Sequence, residues 1–388
     1  MSGAGELAMT VSAPTPSSRD RIRVCLVGPS LDILGGQAVQ LQRLLRKLRE
    51  VPELDVAFLP VNPRLPGPLR ALQRVKYVRT VATSIAYGWS LVRSLGRYDV
   101  VHCFSASYWS FMLAPFPAMA IARSYGKAVV LNYRSGQAAD HLTRWPSAVT
   151  RMRKAHAIVV PSGYLVDVFA QFGLTAQSIF NFVETDAIRY RRRARVAPNF
   201  LSNRNFEEHY NVACVLRAFA RVQREIPEAR LIVAGDGPQR GMLHALATQL
   251  GLRNVEWRGP VPPSDMAELY DAADVYLNAP SIDNMPNSII EAYAAGLPIV
   301  TTDAGGIPYI VSDQRTALMV AKDDDAALAG AALRIVRDPE LALRLADAGR
   351  SECLTKYVWP AVREEWTRLY TRLAATAARN RDRAPKVA

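Results

Sequence analysis

Residues 279–302 read A-P-S-I-D-N-M-P-N-S-I-I-E-A-Y-A-A-G-L-P-I-V-T-T, from Ala279 to Thr302, and contain most of a strand-loop-helix-strand unit. A β-rich run, residues 274–278, ends just before them. A loop bearing Pro280, Asn284 and Pro286 follows, helical spacing of apolar residues begins near Ser288, and residues 299–302 form another short β-rich run. Ser288 followed three residues later by Glu291 has capping-box spacing, in which Glu291 serves only the backbone at its own helix start. The same geometry has a second use. N–H groups and the dipole at a helix start attract phosphate, while neighbouring carboxylates such as Asp283 and Glu291 accept hydrogen bonds from hydroxyls.

Outward from this unit, short β-rich runs at residues 22–27, 54–59, 99–103, 128–131 and 157–160 each precede a longer segment of mixed periodicity. The pattern restarts after Arg189, with runs at 199–202, 230–234, 255–258, 274–278, 299–302 and 318–320. Alternation of this kind predicts parallel sheets covered by helices, so the expected fold class is α/β with two doubly wound, Rossmann-like domains facing a cleft. Ligands bind such sheets outside the carboxyl ends of the strands. The expected boundaries are a disordered leader over residues 1–20, domains over 21–188 and 189–356, a closing helix over 357–378 and a loose tail over 379–388. Tyr190 to Val196 holds Arg191, Arg192, Arg193 and Arg195, a polar, self-repelling run read as the interdomain linker.

Bulk properties narrow the function classes. A chain of 388 residues, 49% of them hydrophobic, is long enough for two cores. Cys25, Cys103, Cys214 and Cys353 lack metal-ligand spacing, so neither a zinc site nor a disulfide framework is expected. The first twenty residues lack the basic start and apolar run of a secretion signal. The longest apolar run, about Tyr108 to Ala122, is interrupted by Pro115 and Pro117 and is shorter than the roughly 20 residues of a membrane span.

The net charge of +13 points to an anionic partner. Residues 64–97 contain Arg64, Arg70, Arg74, Lys76, Arg79, Arg93 and Arg97, no acid, and interleaved Tyr77, Tyr87 and Trp89. That pattern suits helices lying on an anionic membrane surface, and it equally suits a solvated basic face on ordinary helices. A cytoplasmic chain, peripheral at the inner face of a membrane, is expected. No aromatic stacking platform accompanies the charge, so no nucleic-acid partner is expected.

A carboxylate, seven residues, Glu, Ala, small residues and G-x-P is a pattern that resembles the acid pair of the family 4 retaining glycosyltransferases of GT-B fold. Other stretches extend the likeness: Arg230 to Pro238 with its G-D-G-P turn (Gly235, Gly237), Trp257 to Val261 with Gly259, residues 272–276, and Asp303 to Pro308. In the first half, Gly28 to Gln37 with Gly35 and Gly36 is similar to the family's glycine loop, and residues 99–102 resemble its strand ending in a histidine, His102.

The resemblance implies a nucleotide-sugar donor, a lipid-linked or glycan acceptor, no cofactor and no bound metal. It assigns catalytic roles to Asp283, Glu291, Arg204 and His102. Asp283 would meet the sugar hydroxyls and Glu291 the ribose. The remaining donor contacts would come from Gly35, Gly36, Arg204, Tyr210, Gly235, Gly237, Gly259, Met285, Pro286, Asn287 and Ser288. Tyr133, Arg134 and Ser162, at strand ends, are the acceptor-side candidates. The sequence departs from the family pattern at several points: Asp283 replaces the usual Glu, Tyr210-Asn211 stands where Lys-Gly is usual, Tyr309 replaces a common acid, and Phe104 stands where a second histidine is common. Two other readings stay open, a non-catalytic nucleotide-sugar-binding or scaffold protein and a sugar-nucleotide epimerase of the same fold.

Overall fold

The structure, a computed structural model, describes residues 21–30, 36–63 and 76–383. The expected leader, Gly35, the basic residues Arg64, Arg70 and Arg74, and the end of the tail from residue 384 lie outside the described residues.

Strands β1 Ile22–Gly28, β2 Leu54–Pro60, β3 Val100–Ser105, β4 Ala128–Tyr133, β5 Ala157–Val160 and β6 Ala176–Ser178 form one sheet in the order β2-β1-β3-β4-β5-β6. Strands β7 Asn199–Ser202, β8 Arg230–Ala234, β9 Val255–Gly259, β10 Val275–Asn278, β11 Ile299–Thr302 and β12 Leu318–Val320 form a second, in the order β12-β11-β10-β7-β8-β9. Every pairing is parallel. Helices cover both faces, so central strands are buried along their whole length, as every residue of β3 and β4 is. The eleven expected β-rich runs are all strands. The twelfth, β6, has three half-buried residues and is too short to carry a periodic signal.

Two observations revise the linear reading. Tyr190 to Val196, read as a self-repelling linker, is folded onto the second domain. Arg193 is 3% exposed and its guanidinium donates to the carbonyls of Tyr270, Ala273, Ala295, Gly296 and Arg191. Arg191 is paired with Asp271 and Asp274. The run is thus bolted to the second domain by backbone carbonyls that gather there only after folding.

The final helix, Trp359–Arg383, extends as far as Arg383 into the stretch expected to be loose and packs on the first sheet, although it follows the second in sequence. Its Val362, Trp366, Leu369, Tyr370 and Leu373 share one core with Val24, Leu26, Val100 and Phe104. Truncating an aromatic in such a core costs about 3–5 kcal/mol, so this return stabilises the first domain substantially. The apolar run near residue 108 becomes two short helices, Trp109–Leu113 and Pro115–Ser124, the second opening on a proline at its first turn. Among the described residues no helix is long and apolar enough to cross a membrane.

The strand orders define where a ligand fits. In the first sheet the order reverses between β1 and β3, and in the second between β7 and β10. Crevices open outside the carboxyl ends of strands at such switch points. Both lead into one cleft of about 520 Å³, lined by Gln37 and Ala106 from one side and by Asn203, Arg204 and Asp283 from the other. That volume lies within the usual range for a small-molecule site.

Candidate active site

The second domain supplies an ionic wall. Arg204, in the loop after β7, donates through Nη2 to Asp283 Oδ2 at 2.5 Å and through Nη1 to Ser288 Oγ at 3.0 Å. Its guanidinium lies 4.0 Å from the centroid of the Tyr210 ring. Burial works against this charge, but Asp283 foremost and then the surrounding tyrosines outweigh it, so the Arg204 pKa lies above the usual arginine value. Tyr210 is therefore a shelf beneath Arg204, an arrangement worth about 1–2 kcal/mol when desolvated. Asn211 next to it has φ 46°, and its side chain caps the helix Val212–Glu225 by accepting from the Cys214 N–H. Asn is among the few residues that tolerate this conformation.

Glycines seat both loops. Gly235, at φ +146°, abuts the Arg204 carbonyl so closely that any Cβ would collide with it. Gly305, at φ +52°, stands in the same relation to the Asp283 carbonyl. Gly237 packs against Phe206 two residues beyond Arg204, whereas Gly259 faces open space and is not among the residues lining the cleft.

The helix Asn287–Ala295 points its start into the cleft, with Pro286 at the N-cap and no side chain capping it. Ser288 thus lies inside the helix, and the capping box expected as one use of Glu291 is not formed. Glu291, 6% exposed, accepts instead from Tyr270 Oη at 2.9 Å and from Arg43 Nη2 at 2.7 Å. Met285, Pro286, Asn287 and Ser288 all line the cleft, as does Gly235. Gly36 begins the helix Gly36–Arg49, which carries both Gln37 and Arg43 to the site.

The first domain contributes differently from expectation. His102 is not at the cleft edge but in the middle of β3, wholly buried. Its ring stacks between Phe104 and Trp366, with Nδ1 2.7 Å from Tyr370 Oη and Nε2 3.0 Å from Asn132 Nδ2. Burial pushes its pKa down to about 3, with help from Arg134. The strand runs two residues further than its β-rich core, and the face on which His102 lies is covered by the returning C-terminal helix. Tyr133 is likewise sealed from the cleft, its hydroxyl bonded to Ser107 and His141. Ser162 caps the helix Gly163–Gln171 and bonds Asn284 across the two halves, without lining the cleft. Arg134 alone of the three acceptor-side candidates lines it.

Residues the sequence did not single out complete the wall, Arg43, Asn181 and Asn203, with the buried Gln40 behind them. Asn181 Nδ2 donates to Met285 O and to Asn287 Oδ1, and Gln40 Nε2 also reaches Asn287 Oδ1. Arg43 and Gln40 lie on the polar side of an amphipathic helix, where nothing local distinguishes them from solvent-facing residues. Three of the buried polar atoms without a hydrogen-bond partner among the described residues, Arg43 Nη1, Asn203 Oδ1 and Asn284 Nδ2, belong to lining residues, and others lie elsewhere, among them Ser202 Oγ and Asn278 Oδ1.

Two facing six-stranded parallel sheets, a closing helix returned to the first, and a cleft at both switch points define the GT-B fold. Residues 192–352, less than half of the chain, match the family described as glycosyl transferases group 1. It is 27% identical to the lipopolysaccharide core biosynthesis glycosyltransferase LpsE of Rhizobium meliloti (strain 1021) over 249 residues, 61% of this chain and 71% of that protein. The structure of sucrose-phosphate synthase from Thermosynechococcus elongatus is similar at a TM-score of 0.74 and 19% identity, covering 92% of this chain and 100% of that one. That of Anabaena HepE in complex with UDP and glucose is similar at 0.71 and 16%, covering 90% and 100%.

Proposed function

We propose that this chain moves a sugar from a nucleoside diphosphate sugar to a hydroxyl acceptor with retention of anomeric configuration. The observation that carries the reading is the uncapped helix start at Asn287 with Arg204–Asp283 on one side and Arg43–Glu291 on the other. The diphosphate sits on the helix start and Arg204, which take the charge that builds on the leaving group. Asp283 accepts hydrogen bonds from the sugar hydroxyls. Glu291 exchanges Arg43 for the ribose hydroxyls, so that a buried carboxylate stays partnered throughout. The likeness to HepE, solved with UDP and glucose, supports this donor class.

Calorimetric titration of UDP, GDP and ADP tests the donor site. One of them binds the wild type, and Glu291→Ala weakens it at least tenfold. Equal affinity in the variant, or no binding by any of the three, sinks the reading. Turnover of the donor to an isomer without acceptor would favour an epimerase, and binding without any turnover a scaffold.

The acceptor is a lipid-linked or envelope glycan presented at an anionic membrane surface. On the helix Lys76–Ser94, Val81, Ile85, Trp89 and Val92 fall on one stripe and are 50–69% exposed, opposite the buried Tyr87 and Leu91. Trp109 and Leu113 on the neighbouring helix are also exposed, and Arg79, Arg93 and Arg97 flank the stripe. Apolar residues beside cations and away from acids match an interfacial helix. The protein sediments with vesicles of 30 mol% anionic lipid, and Trp89→Glu abolishes this; no sedimentation of the wild type at low salt rejects the membrane surface.

A further inference from the structure

Among the described residues three arginines line the cleft, and two of them hold a carboxylate: Arg43 pairs with Glu291 and Arg204 with Asp283. Arg134 is different. It follows β4 directly, and its guanidinium meets two neutral amides, donating to Asn132 Oδ1 at 3.4 Å and to Asn181 Oδ1. Beside it lies the face of Phe104, 5.7 Å from the ring centroid. No carboxylate pairs with it among the described residues. Asp283 approaches this wall at Gly136, but its two oxygens are taken by Arg204 and by the Asn284 N–H.

The surroundings of Arg134 are costly for a cation. Desolvation pushes its pKa down to about 10, with no opposing acid. A charge taken out of water without a partner is strongly unfavourable, and proteins normally pair it, neutralise it or replace it. Arginine cannot shed its proton near neutral pH, so the cation persists. Part of its surface stays open to the cleft. The cation is also held in place: Asn181, which accepts its Nη2 hydrogen bond, is itself fixed to Met285 and Asn287. A guanidinium fixed at a cleft wall with donors to spare is a preformed bidentate receptor for phosphate or carboxylate.

We propose that Arg134 binds an anionic group, phosphate or carboxylate, carried by the acceptor. This rests on the donor reading for one point only, that the donor's diphosphate occupies the helix start and Arg204 on the opposite wall. Arg134 belongs to the first sheet, and an acceptor entering from that side meets it first. The same residue thereby selects charged acceptors over neutral ones, because a neutral acceptor leaves the cation buried without compensation.

The test titrates inorganic phosphate in one arm and acetate in the other into protein saturated with whichever of UDP, GDP and ADP binds. In the wild type, one of these anions binds with a Kd in the millimolar range. Arg134→Gln weakens it at least tenfold, Arg134→Lys weakens it less, and the nucleoside diphosphate Kd stays within threefold in both variants. Which anion responds identifies the acceptor's group. Three results overturn the proposal: no anion binding to the saturated wild type, equal anion binding in Arg134→Gln, or a tenfold loss of nucleoside diphosphate affinity in that variant, which would assign the cation to the donor. If no nucleoside diphosphate binds the wild type, the donor reading fails by itself, and the same titration of the free protein still supports or rejects the anion site at Arg134. Thermal unfolding of Arg134→Gln without anion separates binding from structure: a Tm equal to or above that of the wild type supports a binding role, and a drop of more than about 5 °C overturns it.

Discussion

The two walls of the cleft are built from the same parallel architecture, yet they differ in where their polar side chains go. On the second domain, strand-end loops after β7 and β10 deliver Arg204 and Asp283 straight into the opening, and the helix start delivers Ser288 and Glu291. On the first, polar strand residues turn inward: His102 in the middle of β3 and Tyr133 at the end of β4 are consumed by an aromatic core and by buried hydrogen bonds. From that side the helix Gly36–Arg49, Ala106, the loop from Arg134 to Gln137, Pro161 and Asn181 reach the opening. A domain whose loops are held by glycines against neighbouring carbonyls presents its charges; a domain roofed by a returning helix buries them.

The largest effect that would sharpen this contrast belongs to Arg204. Arg204→Ala lowers kcat/KM by about 10²- to 10³-fold, the loss expected when a donor to developing charge is removed, and steady-state kinetics with near-wild-type values would show that the ionic wall is not the working one.

A smaller loss, about tenfold, is expected for Tyr210→Leu, which removes the ring beneath Arg204 but leaves the guanidinium present. Kinetics and nucleoside diphosphate titration should move together in that variant, and an unchanged pair of values would mean that the shelf does not orient Arg204.

The smallest effect on turnover belongs to His102, and its signature is in stability. His102→Gln keeps turnover within about threefold, and a loss of 10²-fold would return this histidine to the chemistry. The folded pKa of about 3 is depressed below the unfolded value, which is about 6.5. Its contribution to stability is thus complete above about pH 6.5 and is lost as pH falls towards 3, by at most about 1.4 kcal/mol per pH unit. Denaturant unfolding at pH 7 and pH 5 reads this slope in the wild type and a flatter one in His102→Gln; identical slopes would contradict the buried, neutral ring.

Much of the fold was legible. Eleven of twelve strands stood out as β-rich runs, because strands of a doubly covered parallel sheet are continuously apolar and carry their own signal. The second domain's share of the site was legible for a related reason: Arg204, Asp283, Met285 to Ser288 and Glu291 lie on short loops and one helix start next to those strands, so sequence spacing fixes their place. Arg43 was not legible, since its partner Glu291 is 248 residues away. Gln40 and Asn181 meet Asn287 in the same way, across the halves.

The sequence by itself determined the two alternating βα series, the acid pair and the helix start between them, because local periodicity and spacing are properties of neighbouring residues. Only the tertiary structure decided that the last helix returns to roof the first sheet, that His102 is thereby sealed among Phe104, Trp366 and Tyr370, and that Arg193 is clamped by carbonyls from three segments. Those outcomes depend on which surfaces meet after hundreds of residues have folded, and burial, which sets the charge and reach of each side chain, is fixed at that meeting.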